Sequence, residues 1–278
     1  MVAKSLALSD INLELFKFTA FADTARSRSG WFFSPRRSVG VVNTFAGNDT
    51  VAGTGIGIYS SGIYNDGTIT TGAGNDIITG KAVNVTLNTT GIHNRETINT
   101  GTGNDIISGK GNSDGIDNSG TIITGRGNDI IAGNCHDYGN TGISNSGTIN
   151  TGAGNDIIRV SSRSLWSIYN VGTINTGTGN DIVDGLKDGF GGDGKTYLSD
   201  GDDTLKGFGE GQFYGGTGTD KILFGVGTYT VSGSTIISSQ FDTMSVSQFE
   251  KIGGANGGLF IFSNGTLTVD SAGIGTFA

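Results

Sequence analysis

Apolar residues in the middle of the chain recur in short bursts interrupted by turn residues after three or four positions, a rhythm of short strands rather than helices. Five segments repeat it: GIYNDGTITTGAGNDIITG from Gly62, GIHNRETINTGTGNDIISG from Gly91, GIDNSGTIITGRGNDIIAG from Gly115, GISNSGTINTGAGNDIIRV from Gly142 and SIYNVGTINTGTGNDIVDG from Ser167. Their starts are 29, 24, 27 and 25 residues apart, and the part of constant length is 19 residues, so the variation sits in one connecting segment. A degenerate copy, NTFAGNDTVAG, begins at Asn43, and looser ones, LSDGDDTLKG and YGGTGTDKILFG, begin at Leu198 and Tyr214. Units of this length that cannot bury an apolar face alone stack on their neighbours as a solenoid. Gly, Thr and Asn are poor helix formers, which leaves a coil of strand GIxN, turn xG, strand TIxT, turn GxGND, strand IIxG and a variable return.

Stacking at about 4.8 Å turns equivalent residues into columns along the axis. Ile78, Ile107, Ile131, Ile158 and Val183 are expected inside, with Ile69, Ile98, Ile122, Ile149 and Ile174 as a second inner stripe. Asn65, Asn94, Asn118, Asn145 and Asn170 form a ladder whose amides can bond along the stack. Strand alternation points Ile77, Ile106, Ile130, Ile157 and Ile182 outward. The expectation is that the variable side folds over this stripe or that a wide coil buries it; left open, it would be a contact surface.

Composition sharpens the picture. The 278 residues include 51 Gly and one Pro, which excludes collagen and argues against a plain disordered linker. Apolar residues amount to 35%, enough for a thin repetitive core and too few for a thick layered one. With 17 basic and 25 acidic residues, the balance argues against a phosphate-binding surface and against nucleic acid as a partner. Of the acidic residues 21 are Asp, the carboxylate favoured in tight turns and in turn-borne metal sites. The single Cys135 excludes an intramolecular disulfide framework, and a metal is the expected substitute.

The turns themselves carry the most specific chemistry. TGAGNDII, TGTGNDII, TGRGNDII, TGAGNDII and TGTGNDIV, with the three degenerate copies, align Asp49, Asp76, Asp105, Asp129, Asp156, Asp181, Asp203 and Asp220 at spacings of 27, 29, 24, 27, 25, 22 and 17 residues. This resembles the GGxGxDxUx nonapeptide of the repeats-in-toxin (hemolysin-type) calcium-binding family over residues 43 to 225, with Thr in place of the first Gly; YGGTGTDKI restores that Gly. The resemblance implies a parallel β-roll in which several calcium ions sit between adjacent turns. The Asp carboxylates would hold them together with turn carbonyls around Gly72, Gly74, Gly101, Gly103, Gly125, Gly127, Gly152, Gly154, Gly177 and Gly179. Oxygen donors of this kind suit calcium, and paired glycines permit the positive φ angles that aim carbonyls at one point. Two carboxylates one coil apart would repel by about 3.5 kcal/mol at an effective dielectric of 20, and a divalent cation reverses that sign. The chain departs from the family in its partner turns, NDG, NRE, NSG, NSG and NVG, which lack the aligned Asp, so one edge is expected to be calcified and the other replaced by the asparagine ladder.

The expected architecture is an all-β parallel β-roll or right-handed β-helix. It divides into an N-terminal cap or anchor over 1–40, long-coil repeats over 41–187, shorter-spaced calcium-binding repeats over 188–225 and a C-terminal β-cap over 226–278. Residues 1–40 hold no repeat and carry 6 basic against 3 acidic residues. No apolar run is long enough for a membrane-spanning helix, and Asp10 and Glu14 interrupt the N-terminal apolar stretch, so export is expected by a non-classical or C-terminal-signal route. The function expected is an extracellular or cell-surface structural or adhesive scaffold, folding with calcium, with polysaccharide, surface or matrix components or further copies as partners. The main alternative is a carbohydrate-active enzyme, or its calcium-binding module, using Arg126, Arg159 and Arg163 beside the Asp column. His93, His136 and the loop around Cys135, Asp137 and Tyr138 offer no recognisable catalytic spacing. A third reading, ice binding, rests on the column Thr68, Thr97, Thr121, Thr148 and Thr173, although Thr70, Asn99, Ile123, Asn150 and Asn175 break a regular Thr-x-Thr lattice.

Overall fold

The protein is described by a computed structural model covering residues 41–56, 60–83, 89–135, 141–160, 166–239 and 242–278, together with the strands Ser5–Leu8 and Thr24–Ser29. The described residues form 31 strands and no helix. The strands line up in three sheets, of 12, 13 and 6 strands, that wrap about seven parallel coils into a right-handed solenoid. In each coil the TIx strand joins the 13-stranded sheet, the GxGND turn leads into the IIxG strand of the 12-stranded sheet, and the chain returns through the GIxN strand of the six-stranded sheet.

Register follows the repeat residue for residue. Ile106 pairs with Ile77 and Ile130, Thr97 with Thr68 and Thr121, and Asn118 with Asn94 and Asn145. Both expected isoleucine stripes are buried, and a third, Ile63, Ile92, Ile116, Ile143 and Ile168 from the GIxN strands, completes a three-sided core.

Glycine sets the thickness of the coil. Gly80, Gly109 and Gly133 on the 12-stranded sheet face Gly91, Gly115 and Gly142 on the six-stranded one, where any Cβ would overlap the opposing carbonyl oxygen. The two sheets therefore touch backbone to backbone, and the isoleucines fill the wider remainder.

Two features lie at the ends. Residues 1–40, which show no repeat in sequence, nevertheless supply Ser5–Leu8 and Thr24–Ser29, stacked in parallel on the strand Thr50–Ile56. Beyond residue 225 antiparallel pairs enter, Gly227–Ser232 with Thr235–Ser238 and Gly265–Val269, and Lys251–Gly254 with Gly257–Ile261, while Thr243–Ser247 and Lys251–Gly254 still stack in parallel on Gln212–Thr217 and Lys221–Phe224. Val231, Ile236, Met244 and Leu267 extend the buried cluster into this region.

The outward isoleucine stripe corrects an expectation. Ile77 and Ile106 are 40% and 36% exposed and Ile130, Ile157 and Ile182 are half-buried, so the stripe is uncovered. The coil is too thin to take in both residues of the II pair, and strand alternation sends the first one out.

Candidate functional site: the aspartate column

The GxGND turns stack so that all eight column residues, Asp49, Asp76, Asp105, Asp129, Asp156, Asp181, Asp203 and Asp220, lie buried. The turn is possible because its two glycines adopt positive φ, 100° and 137° at Gly72 and Gly74, a conformation that side chains disfavour. Where the degenerate copies put Phe45 and Ser199 at the first of these positions, φ is still 69° and 80°. The stack imposes the geometry even where the residue resists it.

Each aspartate reaches back one coil. The backbone N–H of Asp49 donates to Oδ1 of Asp76, that of Asp76 to Asp105, and so on through Asp220, at 2.7–2.9 Å. The asparagine before each aspartate reaches the other way: Asn75 N–H donates to Oδ1 of Asn48, and the pattern continues through Asn104, Asn128, Asn155 and Asn180. Asp202 then takes the place of Asn, accepting from Thr219 N–H at 2.8 Å. The column ends on Glu250, whose Oε2 accepts from Asp220 N–H at 2.7 Å. Neither the asparagine zipper nor Glu250 was among the sequence-derived candidates; Glu250 sits 30 residues after Asp220, outside the repeat spacing.

The second carboxylate oxygen, Oδ2, is buried and receives no hydrogen bond at Asp76, Asp105, Asp129, Asp156, Asp181, Asp203 and Asp220. Threonine hydroxyls lie beside five of these, but the proton of each is directed at the next coil: Thr71 Oγ1 donates to the Thr100 carbonyl, Thr100 to Thr124, Thr124 to Thr151, Thr151 to Thr176 and Thr176 to Leu198. Burial raises the carboxyl pKa from Asp76 to Asp220, to about 6 at Asp105 and Asp156. The climb is steepest at Asp203, to about 7, where repulsion from Asp181, Asp220 and Asp202 adds to the burial. A buried carboxylate oxygen without a partner is costly, and it is relieved by a proton or by a cation.

The donor set suits a hard cation: anionic oxygens from two successive levels, with turn carbonyls around them. Among the described residues no three His, Cys, Asp or Glu side chains converge on one point, so at any level backbone oxygens would have to complete the shell. The carbonyls of Gly72, Gly101 and Gly152 each accept one amide from the next coil, from Thr102, Arg126 and Thr178. A carbonyl has a second lone pair, and those bonds do not use it up.

The opposite corner of the coil is neutral and fully paired. Asn65 Nδ2 donates to Asn94 Oδ1, Asn94 to Asn118, Asn118 to Asn145 and Asn145 to Asn170, at 2.7–2.8 Å, all buried.

Other candidates fall elsewhere. Arg126 and Arg159 are exposed on the outer surface while the aspartates point inward, so they share no groove with the column; Arg163 lies outside the described residues, as do His136, Asp137 and Tyr138. His93 stacks on Tyr64 at 4.9 Å on the outside of the six-stranded sheet, and its Nδ1 is 2.8 Å from Asp117 Oδ2. Ser144 neighbours Asp117 in register rather than His93, so the row contains no nucleophile and base in contact. The Thr68, Thr97, Thr121, Thr148 and Thr173 column is in register on the outer face of the 13-stranded sheet.

These features define a parallel β-solenoid with a buried aspartate column at one corner and an asparagine ladder at another. No family model matches the chain, and no curated protein matches it. Among solved structures it is similar to a hyperactive, Ca2+-dependent, β-helical antifreeze protein from an Antarctic bacterium, with 19% identity and a TM-score of 0.41, over 80% of this chain and 65% of that one. The chain thus spans about two thirds of that protein's length.

Proposed function

We propose that the protein is a calcium-binding structural or adhesive scaffold that works outside the cell or on its surface and folds as calcium binds. The observation that carries this reading is the row of buried Oδ2 atoms without a hydrogen-bond partner, from Asp76 to Asp220. Calcium between successive turns would engage these oxygens and the turn carbonyls at Gly72, Gly74, Gly101, Gly103, Gly125, Gly127, Gly152, Gly154, Gly177 and Gly179, as the repeats-in-toxin resemblance implies. The binding energy then becomes folding energy, so the chain would be only marginally folded where calcium is scarce and firmly folded where it is plentiful. Outside these turns the coils are uniform ladders, the form of a rod that presents surfaces rather than a cleft that performs chemistry.

Far-UV circular dichroism of chelated protein, titrated with calcium and in parallel with magnesium, tests the proposal beside a variant carrying Asp105→Ala, Asp129→Ala and Asp156→Ala. Calcium should induce β structure in the wild type and fail to do so in the variant. A chelated wild type that is already fully folded and indifferent to calcium overturns the reading.

A second reading, ice binding, draws support from the in-register threonine column on the 13-stranded sheet, beside which Ile123 interrupts the polar row on the same face. Thermal hysteresis of the calcium-loaded protein decides it: a freezing gap that Thr121→Tyr and Thr148→Tyr abolish supports it, and no gap removes it.

A further inference from the structure

The outer face of the 12-stranded sheet differs from the rest of this acidic protein. Beside the uncovered stripe of Ile77, Ile106, Ile130, Ile157 and Ile182, its strands place Lys81, Lys110, Arg159, Lys206, Lys221 and Lys251 on the same side. The one carboxylate within the described strands of this face is Asp184, spent on Lys206 at 3.5 Å. The other five cations make no salt bridge among the described residues. Two pairs stand directly side by side in register, Lys81 with Lys110 and Lys221 with Lys251. Like charges on adjacent strands repel, and in an Asp-rich chain an opposite charge was available for those places. The net charge of −8 averages over the faces and hides this segregation.

We infer that this face docks on an anionic lipid surface, with the isoleucine stripe against the boundary between headgroups and acyl chains and the unpaired lysines on headgroup phosphates. Charge complementarity selects an anionic partner, and the aliphatic stripe selects one that offers apolar contact as well. Five isoleucines at coil spacing make a flat strip about 19 Å long, which a planar bilayer can meet along its whole length. Nucleic acid would leave the isoleucines without a purpose. A second copy docked through the same face about a two-fold axis would bring Lys81 and Lys110 towards the lysines at the partner's far end. The inference rests on the outer face of the sheet and is independent of what occupies the aspartate column.

The test is co-sedimentation of the full chain, in calcium buffer, with phosphatidylglycerol vesicles and with phosphatidylcholine vesicles, with circular dichroism confirming the fold in every arm. Wild type should partition onto phosphatidylglycerol and only weakly onto phosphatidylcholine, and less so as salt is raised. Lys81→Gln with Lys110→Gln should weaken partitioning about thirty-fold, from roughly fivefold per lysine. Ile77→Ser with Ile106→Ser should weaken it too, whereas Arg126→Gln, on another face, should leave it unchanged. Partitioning that ignores the lysine and isoleucine variants, or that Arg126→Gln reduces equally, would indicate calcium bridging or nonspecific adsorption and overturns the inference. So does the absence of any preference for the anionic vesicles, or a self-association in sedimentation velocity that Ile106→Ser abolishes.

Discussion

Replacing Asp105 or Asp156 by Asn removes a buried charge while keeping an Oδ1 that can accept the amide of the preceding coil. In the calcium-free protein each of these carboxyls is held at about 6 against an ordinary 3.8. A displacement of that size corresponds to about 3 kcal/mol of penalty for the ionised form at pH 8. Asn escapes it but must seat a new N–H2 group beside the threonine hydroxyl, at a cost of about 1–2 kcal/mol. The net expectation without calcium is a gain of about 1–2 kcal/mol per site, or a rise in melting temperature of roughly 2–3 °C for a chain of this size. With saturating calcium the sign reverses, because the amide is a poorer ligand than the carboxylate and the variant loses binding energy that the wild type keeps. Differential scanning calorimetry of wild type, Asp105→Asn and Asp156→Asn, in chelator and in excess calcium, reads both signs at once. A variant destabilised equally in the two buffers would refute the argument, since its aspartate would then stabilise the fold through hydrogen bonds alone.

Other consequences follow from the same geometry. Because the folded chain retains protons on Asp105, Asp156 and Asp203 that the unfolded chain releases near the ordinary 3.8, calcium-free stability should fall as pH rises from about 4 to 7; a melting temperature in chelator that climbs over this range contradicts the assignment. Asn118→Ala leaves the buried Asn145 Oδ1 without its donor and the Asn94 amide with only its longer bonds to the Glu96 and Thr121 carbonyls, and should cost about 2 kcal/mol, read by denaturant unfolding with and without calcium; a loss below about 0.5 kcal/mol would mean the ladder contributes little. Gly109→Ala drives a methyl group into the Gly115 carbonyl and should cost about 3 kcal/mol or block folding, whereas Ser108→Ala beside it, facing out, should stay within about 0.5 kcal/mol by the same assay.

Much of the architecture was legible because the repeat makes every residue testify five times. The Ile78 and Ile69 columns, the asparagine ladder and the positive-φ glycines all follow from alternation and turn chemistry applied to one unit. The GIxN isoleucines form a core column that one unit alone does not reveal, because the third sheet that holds them is fixed by how the variable segment returns. The glycine contact between Gly109 and Gly115 was invisible for the same reason, since it joins two sheets across the coil rather than two levels of one column. At the site, sequence identified which residues align but not which way their oxygens point. Oδ1 turns back to the preceding amide and Oδ2 turns inward, a choice made by the turn geometry. Glu250 is not Asp, and the antiparallel hairpin before it stretches its spacing from Asp220 beyond that of the repeat. The isoleucine stripe was expected to be covered, yet the glycine-thinned coil leaves its side chains outside, and a composition averaged over three faces concealed the lysines beside them.

The most direct test of the central claim is an anomalous difference map from crystals grown in calcium, collected at a wavelength where calcium scatters anomalously. The account predicts a row of peaks at coil spacing, each within coordination distance of the Oδ2 atoms of the Asp105, Asp129 and Asp156 levels and of the adjoining turn carbonyls. A map of the folded protein with no peak within reach of these oxygens would contradict it and leave the column as a proton-bearing structural seam.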